Sequence, residues 1–179
     1  MIEKVEPETS RADRKAESLH EEASALIEAR PDVLFAYLDD QTRLGAHMEQ
    51  RSMMMMGGRM AYEFDDARGR AVGSVIKMGG RFLGLEIVAE EIVTERDPPR
   101  RKAWETIGEP RMLVIARYRM GFEILEDGAA LRLRVFIDYD LPTSLIGRIL
   151  GAVFANAYAR WCVTRMAEDA KSYFRERRR

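Results

Sequence analysis

The chain is poor in the residues that build covalent or metal-held scaffolds: among 179 residues there is one cysteine, Cys162, and there are two histidines, His20 and His47. A single cysteine cannot close an internal disulfide, so nothing points to an oxidising compartment. Two histidines without an H-E-x-x-H spacing or a cysteine cluster lack the ligand set of ordinary zinc sites. No metal and no cofactor are expected. Net charge is also nearly absent, at −1, which argues against nucleic acid as a partner and confines any polyanion contact to a local patch. No apolar run approaches a membrane span, and the opening MIEKVEPETSRADRKAESLHEE has no signal-peptide core. The expected location is cytoplasmic.

What is present is 46% hydrophobic and 33% charged residues, a globular balance at a length suited to one domain. Residues 1–20 mix five acidic with four basic side chains and few apolar ones, and read as a charged tail. The domain is expected over 21–175, with a basic end at 176–179. In EASALIEA, Ala23, Ala25 and Ile27 alternate with Ser24 and Leu26 as in a strand, which ends before Pro31. Pro31 and Asp32 suit the first turn of a helix whose face carries Leu34, Tyr37 and Leu38. Asp40 can cap a second short helix through QTRLGAHM, near Met48.

From Met53 to Tyr139 the period is two. Met60, Tyr62 and Phe64 form one alternating set; Val114, Ala116, Tyr118, Met120 and Phe122 form another; Leu131, Leu133, Val135 and Ile137 form a third. DDARG at 65–69, MGGR at 78–81, RDPPR at 96–100, GEPR at 108–111 and EDG at 126–128 are expected to separate the strands as turns. Connections this short make hairpins, hence an antiparallel meander. Thr143 or Ser144 can cap a long closing helix. Ile146, Ile149, Leu150, Val153, Phe154, Ala157, Tyr158 and Trp161 are expected to form the face that it lays on the sheet. The expected class is α+β: a curved antiparallel sheet of about seven strands, two short helices after the first strand, and a long C-terminal helix with a cavity beneath it.

Three stretches carry a resemblance. ALIEARPDVLFAYLDD is similar to the opening strand and proline-started helix of the START-like (SRPBCC) superfamily, which includes polyketide cyclases, lipid-transfer domains, pollen-allergen-like proteins and a group of carbon-monoxide-dehydrogenase accessory subunits. MGGRFLGLEIVAEEIVTERDPPRRKAWETIGEP resembles its fourth and fifth strands, and LPTSLIGRILGAVFANAYARWCVTRM its closing helix. Together they cover roughly residues 22–174. The resemblance implies a helix-grip fold that holds a hydrophobic or amphipathic small molecule between sheet and helix.

The expected cavity wall draws on the methionines Met54, Met56, Met60 and Met120, on Phe64, Phe122 and Phe154, and on Trp104 and Trp161. Tyr62, Tyr118, Tyr139 and Tyr158 add hydroxyls that can orient a ligand or simply bond to backbone at the edge of a filled core. The run Met53–Met56 either lines a shape-adaptable mouth or fills gaps in the core. MGGR at 56–59 and at 78–81 lacks the spacing of a phosphate loop. No catalytic constellation is legible. An enzyme resembling cyclases or dehydratases would draw its proton transfer from the tyrosines or His47, which otherwise sits at a helix end. Cys162 reads as a small buried apolar group. Residues 160–179 hold seven basic and three acidic side chains, so Arg175, Arg177, Arg178 and Arg179 offer a weak contact for an anionic membrane or an acidic protein.

Overall fold

The structure is a computed structural model that describes residues 18–44, 59–82, 85–112 and 114–177. Strand β1 (Leu19–Ile27) leads into α1 (Pro31–Leu38) and α2 (Gln41–Leu44). Strands β2 (Arg59–Phe64), β3 (Val75–Phe82), β4 (Leu85–Asp97), β5 (Arg101–Arg111), β6 (Tyr118–Asp127) and β7 (Ala130–Tyr139) follow, and α3 (Leu145–Glu176) closes the chain. The seven strands form one curved antiparallel sheet in the order β1-β7-β6-β5-β4-β3-β2. The meander places the first strand beside the last, because sequential hairpins leave only β7 free to take β1.

Local chemistry accounts for the helix starts. Pro31 opens α1 and Asp32 lies in its first turn. At α2, Asp40 Oδ1 accepts from the Thr42 amide at 3.2 Å, satisfying one of the free donors of that helix end. Ser144 caps α3, its hydroxyl accepting from Gly147 N at 3.2 Å. Strand β1 begins at Leu19, so His20 belongs to the sheet rather than to the tail: its Nδ1 lies 2.7 Å from Asp138 on β7.

Two expected turns are strand. MGGR at 78–81 lies inside β3, where Gly79 pairs with Ala61 on one side and Val88 on the other. With backbone partners on both sides, the glycines continue the ladder. GEPR lies at the end of β5, and Gly108 at φ +66° falls where the β4–β5 register slips between Val88 and Glu90. A positive φ here makes a bulge instead of a reversal. The set from Val114 starts late, since the β6 ladder begins at Tyr118.

The long helix departs furthest from its expected orientation. It lies on β1 and β7 through a stripe of small residues, Ala155, Ala159, Val163, Ala167 and Ala170, which are all but completely buried. The anticipated face is turned about half a circumference away: Ile149, Val153, Phe154 and Ala157 are exposed, and Leu150, Tyr158 and Trp161 half-buried. The reason is proximity. The β1 side of the sheet offers Ala23 and Ala25, so the backbones approach closely only where the helix is also small. Gly151 fits the same logic, because a Cβ there would meet Val114 O at 3.0 Å.

Candidate functional site

The concave face of the sheet is built from the inward positions of each strand. Val93, Trp104, Met120 and Ile137 form one cross-strand row, and Lys102, Phe122 and Val135 the next. Trp104 and Phe122 are at most 2% exposed, and burying such side chains contributes roughly 1.5–3 kcal/mol each.

Between two register shifts in β4, Ala89, Glu91 and Val93 take the inward slots while Glu90 faces outward to Lys77 at 3.1 Å. Glu91 thus enters the apolar face, 2% exposed. The Tyr118 hydroxyl donates to Glu91 Oε1, and the Trp104 indole hydrogen-bonds to the same carboxyl. Glu91 Oε2 is buried with no hydrogen-bond partner. Burial pushes the Glu91 carboxyl up to about 7, against the opposing pull of the Tyr118 and Trp104 hydrogen bonds and the Lys102 charge. Burial, reinforced by the Glu91 charge, raises the Tyr118 phenol well above its ordinary range.

Thr106, paired with Glu91, fixes the backbone beneath this pair. Its hydroxyl accepts from Tyr118 N at 3.1 Å and donates to Tyr118 O at 3.4 Å, standing in for ladder bonds where the β5–β6 pairing runs out. Tyr118 in turn pairs with Tyr139, whose hydroxyl is also buried without a partner. Opposite the sheet, α3 presents Tyr158 and Trp161, with ring centroids 6.0 Å apart. The Tyr158 hydroxyl bonds to the Cys162 thiol and lies within the electrostatic reach of Tyr62 on β2. Burial pushes that thiol up to about 12, so Cys162 is an inert core group.

A second polar cluster holds the small helices. Lys102 Nζ lies 3.0 Å from Asp39 Oδ1 and donates to Asp39 O at 3.2 Å, while Arg96 meets the other Asp39 oxygen at 2.9 Å. Burial raises the Asp39 carboxyl, but the Arg96 and Lys102 contacts outweigh it and hold the group below its usual range. Every member is satisfied, so this cluster anchors α1 and α2 to the sheet.

Of the anticipated wall residues, Trp104, Tyr118, Phe122 and Tyr139 are buried on the concave face, with Met120, Tyr62, Phe64, Tyr158 and Trp161 partly buried around them. Phe154 is 52% exposed and stands apart. Met60 lies in β2, paired with Gly80. Met54, Met56, His47, Arg178 and Arg179 lie outside the described residues. Arg175 and Arg177 are exposed at the end of α3, and Arg177 donates to the Tyr173 hydroxyl. Among the described residues no group of three His, Cys, Asp or Glu side chains could hold a metal, and no helix is long and apolar enough to cross a membrane. Glu91 is the functional candidate absent from the expected set. Alternation carried through AEEIV would have put it in an inward slot.

Solved structures share this architecture. The chain aligns over 90% of its length with 96% of the Zhui aromatase/cyclase from Streptomyces sp. R1128 at a TM-score of 0.66 and 13% identity. It aligns over 89% with 99% of a protein from Thermus thermophilus at 0.64 and 14% identity. Over 88% it aligns with 97% of ginseng major latex-like protein 151 from Panax ginseng at 0.56 and 11% identity. No family model matches the sequence, and no curated protein does.

Proposed function

Taking the START-like helix-grip fold as the premise, we propose that the protein binds a hydrophobic or amphipathic small molecule between the concave face and α3, for transport, sequestration or presentation. The observation that carries this reading is the seating of the helix. α3 docks through alanines and leaves Leu150, Tyr158 and Trp161 only half-buried on another side, which a well-packed core would not do with its largest apolar groups. Native mass spectrometry of the purified protein, followed by extraction, tests it: a stoichiometric apolar adduct supports binding, and a bare chain that takes up no apolar probe refutes it.

A second reading is favoured by one observation, the contact between Tyr118 and Glu91. A carboxyl with a pKa of about 7 beside a phenol is an acid–base pair suited to proton transfer on a bound carbonyl compound, as a cyclase or dehydratase would need. This pair supplies the partnered base that the tyrosines alone lack. Turnover of a poly-β-ketone mimic, abolished in Glu91→Gln with binding retained, would establish it.

A further inference from the structure

Resting on the ligand-binding reading, we propose that Glu91 selects the polar end of the ligand: the buried end is a neutral hydrogen-bond donor, a hydroxyl or N–H, and a carboxylate end is rejected.

The argument starts from satisfaction. A buried carboxylate oxygen is costly to leave unmatched, yet Glu91 Oε2 has no partner while Oε1 accepts from Tyr118. Around it the fixed groups are already committed. Lys102, the nearest buried cation on β5, is held by Asp39 and Gln41. Thr106 is spent on the Tyr118 backbone, and the Tyr158 hydroxyl bonds to Cys162. With the Tyr118 proton directed at Oε1, what this part of the face still offers is acceptor capacity: Oε2 and the lone pairs of the Tyr118 oxygen. A ligand hydroxyl or N–H completes the set, whereas a second carboxylate would bring like charge into a low-dielectric space with no uncommitted cation to receive it. A negative group on the floor therefore acts as a filter on head groups as much as an anchor.

The test uses decanol and decanoate, which share a chain and differ at the head, displacing the neutral dye Nile red at pH 8 from wild type, Glu91→Gln, Glu91→Leu and the outward-facing control Glu90→Gln. The expected result is that the ratio of decanoate to decanol Kd falls about tenfold or more in Glu91→Gln, where the amide donor accepts the carboxylate. In Glu91→Leu, decanol should lose about tenfold as its acceptor disappears. Glu90→Gln should match wild type. Equal ratios within twofold across all four proteins, with Nile red bound throughout, would overturn the head-group filter and leave apolar binding standing. Failure of wild type to bind Nile red or either amphiphile would overturn the binding reading itself, and this inference with it.

Discussion

The two faces of the sheet treat the same residue type in opposite ways. On the convex face charges form open ladders: Arg134 bridges Glu22 and Glu123, Arg119 reaches Glu95 and Asp138, and His20 lies between Glu22 and Asp138. Phe136 is buried there only because Gly121 leaves room for its ring, which the Arg119 and Arg134 guanidinium groups flank at 5.2 and 5.7 Å. On the concave face charges are few and buried, and each has a defined role: Lys102 and Asp39 hold the small helices, while Glu91 keeps one oxygen unmatched. Adjacent in sequence, Glu90 and Glu91 fall on opposite sides of this divide. Solvated charge is cheap and interchangeable, and buried charge is kept only where it organises structure or meets a ligand.

The largest expected effect that would break this contrast is Lys102→Ala. Removing the buried cation leaves Asp39 to Arg96 alone and should cost roughly 3 kcal/mol in urea unfolding. A loss below about 1 kcal/mol would place Lys102 with the convex-face charges. Glu91→Gln should act in the other direction and depend on pH. Burial raises the folded pKa from 4.5 to about 7, so the native state binds the extra proton between those values. Wild-type stability is therefore greatest below pH 4.5, falls through that window and levels off above pH 7. Glu91→Gln should match wild type near pH 4.5 and exceed it by up to about 3 kcal/mol at pH 8. A difference that does not change with pH would show that Glu91 is ionised as easily as a surface carboxylate.

Along α3 the comparison sharpens further. Ala159→Leu should cost about 1–3 kcal/mol by overpacking the seated stripe. Trp161→Ala, on the half-buried side, should weaken apolar probes at a smaller cost in melting temperature. The smallest effect belongs to the convex face: Arg134→Ala should change stability by about 1 kcal/mol or less, shrinking further in high salt.

Fold was legible because its signals are local and redundant. Pro31, Asp40 and Ser144 mark helix starts by mechanisms confined to one turn, and β7 reads directly from Leu131 to Tyr139. The misses arose where a residue's meaning depends on a partner far along the chain. Gly79 and Gly80 are turn-formers until neighbours on both sides pair with them, and the seated face of α3 is decided by the small side chains of β1 rather than by its own hydrophobicity. Glu91 went unseen because a charge in an alternating strand is ordinarily the outward residue, and here two consecutive glutamates fill both phases.

The chain's two tryptophans, Trp104 on the sheet and Trp161 on α3, sit on opposite walls of the proposed binding space. Quenching of single-tryptophan variants, Trp161→Phe and Trp104→Phe, by a bromine-bearing medium-chain alcohol reads both walls. If one molecule binds between sheet and helix, both variants should quench saturably with the same Kd. Quenching of Trp161 alone, rising without saturation while Trp104 stays unaffected, would contradict a shared internal site.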